Sequence, residues 1–127
     1  MGIQYEWDDP DKQDLMVFMI ASPFSWEEYD AITDSVFVSL GQKPYPIATI
    51  VDVSNLHKLP PSNPLPHLQR VNQMMTKNVY ASVVVGAARP VRLFMNVITG
   101  VYPHARGITW FAESMDAART IIAKERP

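Results

Sequence analysis

The sequence predicts an α/β fold, a single domain over residues 1–127 built on a mixed, mainly parallel sheet of about five strands. Three observations carry this. The mostly β-branched run Ile47 to Val51 stops abruptly at Asp52-Val53-Ser54, as a buried strand does when it delivers its C-terminal end to a surface. After a loop, Asn63-Pro64 reads as an N-cap with proline at the first helical position. Finally, apolar runs of this kind alternate along the chain with segments of helical spacing, the pattern of parallel strands joined by right-handed crossovers.

The elements follow in order. Ile3-Gln-Tyr-Glu-Trp7 alternates apolar and polar residues, as a half-exposed edge strand does. Turn formers at Asp8–Lys12 lead to the continuous apolar strand Leu15–Ile20, so the first two strands form an antiparallel hairpin. Ser25-Trp-Glu-Glu28 is a capping box in which Glu28 reaches back to the cap, and Phe24 and Tyr29 are placed to form a hydrophobic staple. Tyr29, Ile32, Val36 and Leu40 then recur at helical spacing, and Gly41 is expected to end the helix in a left-handed turn.

The second helix begins at Pro64 and presents Leu65, Leu68, Val71 and Met75 on one face. Val79–Val85 is the next strand, and Gly86–Pro90 turns into a third helix with the stripe Val91, Phe94, Met95 and Ile98. Ile108–Ala112 is the last strand. Ser114 caps a final helix that has Asp116 in its first turn and Ala117, Ala118, Ile121 and Ile122 packed inward. The expected order is therefore β-β-α-β-α-β-α-β-α, with Val17, Ile50, Val84 and Phe111 buried in one sheet.

Composition narrows the function classes. A net charge of −2 gives no overall pull toward nucleic acid or membranes. The charge is unevenly placed: Lys12 is the single base among the acids of residues 1–34, and Asp52 the single acid among the bases of residues 35–112. Two solvated faces, self-association or an anionic partner are all compatible with that pattern. The absence of cysteine removes disulfides and thiol chemistry and agrees with a reducing cytoplasm. No apolar signal core opens the chain, and the longest apolar run, Leu15 to Ala21, is too short to span a bilayer. Basic residues are not interleaved with aromatics along a strand, so nucleic-acid binding is not expected.

The order of elements and the central loop resemble a STAS domain, the SpoIIAA-like fold of bacterial anti-sigma-factor antagonists. The resemblance covers nearly the whole chain. In that family a strand ends in Asp-apolar-Ser, matched here by Asp52-Val53-Ser54, and a loop leads to a phospho-accepting serine at the next helix start. Ser62 falls near that place, within Pro60-Pro61-Ser62-Asn63 where the antagonists carry Asp-Ser-Ser-Gly. The resemblance implies a non-enzymatic, regulatory, protein-binding module with Ser62 as the phosphorylation candidate. At the level of strand–helix alternation the chain is also similar to the lipid-carrying CRAL-TRIO type.

In open α/β sheets, ligands and partners meet the C-terminal ends of the parallel strands. Those ends supply Ser22 and Pro23, Asp52 to His57, Gly86 to Arg89, and Glu113 and Ser114. The candidate partner-binding residues are therefore Asp52, Ser54, His57, Ser62, Asn63, Arg89 and Arg92. Four of them also have a plain structural reading: Asp52 bracing a turn through backbone amides, Ser62 capping a helix or adjoining its cap, and the two arginines in surface salt bridges. His57, His67 and His104 lack metal-ligand spacing and read as solvated. Met74, Met75 and Met95 read as core filler. No nucleophile elbow or phosphate loop is present, and neither metal nor cofactor is expected.

Three functions are thus ordered: a cytoplasmic module, homodimeric, that docks a protein through the 54–63 loop and the helix that follows; a carrier of a small apolar ligand between sheet and helices; and, last, a hydrolase. A cavity of about 300 Å³ or more lined by apolar helix faces would favour the carrier, and a filled core with a flat polar edge the docking module.

Overall fold

The computed structural model describes residues 2–100 and 102–127, apart from the side chains of Phe94, Ile98, Thr99, Pro103 and His104. The expectations for Phe94, Ile98 and His104 therefore lie outside the described side chains. The elements are β1 (Ile3–Trp7), β2 (Leu15–Ile20), α1 (Trp26–Gly41), β3 (Ile47–Asp52), α2 (Leu65–Met74), β4 (Val79–Val85), α3 (Arg89–Thr99), α4 (Pro103–Ile108), β5 (Thr109–Ala112) and α5 (Met115–Glu125). Every expected element is found. The short α4 was not expected: its six residues, Pro-His-Ala-Arg-Gly-Ile, have no room for an apolar period, and only Pro103 at its start signals a helix.

The sheet has five strands in the order β1-β2-β3-β4-β5. The β1 edge strand runs antiparallel to β2, and β2 to β5 are parallel. Because the order never reverses, right-handed crossovers send the connecting helices to one face. On that face α1 packs through Trp26, Tyr29, Val36, Phe37 and Leu40, and Leu68, Val71 and Met95 of α2 and α3 join the same apolar clusters. The C-terminal α5 folds back over the opposite face, where Ala118 and Ile122 meet Leu15, Val17, Ala48, Ile50, Ala81, Val83 and Val85.

Some local expectations need correction. Phe111 is only half-buried, because β5 is an edge strand, whereas Val17, Ile50 and Val84 are buried. Gly41 is the last residue of α1 and the cap that follows, Gln42, is right-handed. Its lack of a side chain serves close approach instead, since a Cβ there would stand 2.9 Å from Thr76 Cγ2. Ala117 is exposed, while Ala118 and Ile122 carry the contact of α5. Asn63 does accept a hydrogen bond from the Leu65 amide at 3.0 Å, as an N-cap would, but α2 begins one residue later than expected, with Pro64 at the cap position.

Candidate functional site: an apolar cavity beneath the β3–α2 loop

Sheet register aligns Met19, Asp52, Val85 and Ala112 in one row, so the C-terminal ends of β2 to β5 do share an edge. The Asp52 carboxylate braces the turn as the structural reading of the sequence expects: one oxygen accepts from the Ser54 amide at 2.9 Å and from the Ser54 hydroxyl at 2.6 Å. Gly86, with φ of 76°, backs directly onto Ser54; a Cβ there would lie 2.2 Å from the Ser54 hydroxyl. Only glycine satisfies both the left-handed backbone and the close approach.

Ser22, at the end of β2, anchors the loop that follows. Its hydroxyl accepts from the amides of His57 and Lys58, both at 3.1 Å, and donates to the Lys58 carbonyl at 3.0 Å. The loop is therefore fastened through its backbone, while the side chains of Ser54, His57, Ser62 and Asn63 are exposed. Ser62 sits at φ of 92°. Arg89 opens α3 and is exposed; the Arg92 guanidinium lies 5.5 Å from the centre of the Phe111 ring. Among the described residues neither arginine makes a salt bridge, so that reading of them does not hold. The structure thus joins Asp52, Ser54, Ser22 and Gly86 in one braced corner, and no hydrogen bond among the described residues links that corner to Arg89 or Arg92.

The inner side of the same loop forms the most distinctive feature of this edge. Val53, Leu56, Leu59 and Pro64 roof a cavity of about 340 Å³ whose other walls come from Phe24, Trp26 and Tyr29, from Ile20, Val51 and Val84 of the sheet, and from Leu68, Pro90, Val91 and Met95. A second space of about 100 Å³ lies nearer the middle of the strands and shares Ile20, Tyr29, Val51, Leu68, Val84 and Met95 with the first. No charged side chain lines either space. The space exists because α2 stands on α1 and contributes no fully buried residue to the sheet face.

Two pairs attach α2 to α1. Arg70 meets the Asp34 carboxylate. His67 Nδ1 lies 2.9 Å from both carboxylate oxygens of Asp30, placing a proton on that nitrogen, and its ring stacks on Trp26 at 4.5 Å with planes 2° apart. His67 is therefore not a solvated histidine: its side chain is 21% exposed and it holds the helix. Acids of the N-terminal third and basic residues of the middle thus meet within one chain.

The roof residues are hidden in the sequence because Val53, Leu56 and Leu59 are interspersed among polar loop residues. The signal that could have found them is the spacing of Val53, Leu56 and Leu59, three apolar residues three apart in a segment too rich in turn formers to be a helix. Met75 and Met95, expected as filler, line the spaces instead.

Among the described residues no group of three His, Cys, Asp or Glu side chains could hold a metal ion, and no helix is long and apolar enough to cross a membrane. No family model matches the chain, and no curated protein matches it. Solved structures do. An uncharacterized DUF3478-family protein with a SpoIIAA-like fold from Shewanella loihica superposes with a TM-score of 0.68 at 17% identity, covering 94% of this chain and 93% of that one. The murine solute carrier 26 family member A9 anion transporter, in its inward-facing state, superposes with a TM-score of 0.59 at 14% identity; 87% of this chain is covered, but it spans only 18% of the transporter. The chain has a SpoIIAA-like fold, as the resemblance read from its residues implied.

Proposed function

We propose that this chain is a binding module that carries a small apolar ligand in the space beneath the β3–α2 loop. The cavity carries the reading. Its volume of about 340 Å³ is more than twice the roughly 150 Å³ of an apolar cavity that takes up benzene. It also falls within the usual range for ligand pockets, about 300–1,000 Å³. A domain selected only for stability would close such a space, because each unfilled methylene costs packing energy. The neutral apolar fluorophore N-phenyl-1-naphthylamine should bind saturably at one site. Leu68→Trp, which puts an indole into both spaces, should abolish that binding while leaving the melting temperature unchanged or higher. Absence of saturable binding by the wild type would sink the reading.

A second reading belongs to the outer side of the same loop. Exposed Ser54, His57, Ser62 and Asn63 on a backbone fastened by Ser22 form a rigid surface, with Arg89 and Arg92 beyond it, suited to docking a protein partner. Ser62→Asp places a charge near a helix N-terminus, where the fold tolerates it. Unchanged capture of partners by both Ser62→Asp and Asp52→Asn, from an extract in which the wild type captures one, would remove this surface from consideration.

A further inference from the structure

The two spaces differ in their polar content. The outer one is walled by apolar side chains together with Trp26, whose Nε1–H is buried without a partner, whereas Thr33, Thr49, Asn72, Ser82 and Thr109 reach the inner one, and Tyr29 lines both. Three of these polar side chains already donate to the backbone. Thr33 donates to the Tyr29 carbonyl at 2.8 Å, Asn72 to the Leu68 carbonyl at 2.9 Å and Thr109 to the Ala105 carbonyl at 2.6 Å. Thr49 and Ser82, on adjacent central strands, bond to each other at 2.9 Å. In such a pair one hydroxyl donates and the other accepts, so the acceptor's own hydrogen is left over. No hydrogen bond among the described residues ends on the Tyr29 hydroxyl. Tyr29 and Ser82 thus keep two unused hydroxyl donors, Asn72 keeps a second N–H and its Oδ1, and no charged side chain lines the inner space.

That inventory selects a class of occupant. A carboxylate or ammonium would be buried without a counter-charge, at a cost of several kcal/mol. A pure hydrocarbon would leave both donors unmet. An uncharged oxygen acceptor satisfies them. Resting on the reading of these spaces as a ligand site, we infer that the occupant is an uncharged amphipath: an aliphatic body in the outer cavity, and one ketone, ester or hydroxyl oxygen bonded by Tyr29 and the Thr49–Ser82 pair in the inner one. Burial, and secondarily the nearby charge of Asp30, pushes the Tyr29 phenol well above its ordinary pKa, so it remains a donor throughout the physiological range.

The test uses displacement of N-phenyl-1-naphthylamine from the full chain by three probes of equal length: 2-octanone, octane and octanoate. Tyr29→Phe removes one oxygen and should weaken 2-octanone by roughly three- to tenfold, the range for one neutral hydrogen bond, with octane unchanged. Ser82→Ala should move 2-octanone in the same direction, which keeps the test decisive if Tyr29→Phe folds poorly. Octanoate should be the weakest competitor for the wild type. Equal effects of the substitutions on 2-octanone and octane, or octanoate competing as well as the ketone, overturn the head-group assignment while leaving the cavity reading intact. Failure of the fluorophore to bind the wild type overturns both.

Discussion

The two faces of the sheet are built to different standards. On one, the single helix α5 closes against small residues: Ala48 and Ala81 are fully buried under Ala118, and Ile50, Val83 and Ile122 fill the remaining space. On the other, α1, α2 and α3 crowd the same strands and still leave two cavities. More helices do not give a better core; distance does. Alanines on both sides let α5 approach the strands, while α2 pairs with α1 through Asp30–His67 and Asp34–Arg70 and places no fully buried residue on the sheet. The closed face supplies stability, and the open face is free to hold something else.

The sharpest way to break this comparison is to charge the closed face. Ile50 has no exposed surface and lies at the centre of the α5 layer. Ile50→Asp should cost about 4 kcal/mol or more in urea denaturation, because the carboxylate has neither water nor a partner there. A tolerant Ile50 would mean the α5 layer is not a packed core.

A finer test uses neighbours on one strand. Val83 points into the closed face and Val84 lines both cavities, and each is at most 2% exposed. Their burial is alike, so burial alone expects the same response to one added methylene. Packing expects opposite ones. Val83→Ile should destabilise by about 1–3 kcal/mol, the usual cost of overpacking, whereas Val84→Ile should be neutral or stabilising as it fills existing space. Equal shifts in the two denaturation midpoints would show that both faces are filled alike.

These differences bear on what could be read from residues alone. Elements governed by local chemistry were legible. The Ser25 hydroxyl does accept from the Glu28 amide at 3.0 Å, and Ser114 from that of Ala117 at 3.1 Å. Strand β3 does end at Asp52, whose carboxylate turns the chain. Tertiary competition was not legible. Glu28, expected to complete the capping box, accepts instead from the Ile3 amide on the edge strand at 3.2 Å, a partner 25 residues away. The same holds for the site. Its edge followed from strand direction, but the cavity depends on how far one helix stands from a sheet. The α1–α2 contact beside it includes side-chain pairs between residues 37 and 36 positions apart, which no local spacing encodes.

The smallest expected effect concerns how α5 is tethered at its edge of the closed face. The Arg119 guanidinium donates to both carboxylate oxygens of Asp8, just past β1, at 2.7 Å each. That hydrogen-bonded pairing holds the Asp8 carboxyl below its ordinary value of 3.8 against the opposing effect of burial. The folded protein therefore binds this proton less readily than the unfolded chain. The pair's contribution is fully present above pH 3.8 and is lost as pH falls through the lower folded value. Both side chains are about a third exposed or more, at 43% and 32%, so water screens the pair. Its contribution should not exceed about 1 kcal/mol. Asp8→Asn should lower stability by that small amount at pH 7, and wild type and variant should converge as the pH falls below the lowered folded value of Asp8. They should also converge in 1 M salt at neutral pH, where the screening length falls to about 3 Å. A stability difference that persists in acid would assign the effect to packing of the Asp8 side chain, and α5 would then owe its position to Ala118 and Ile122 alone.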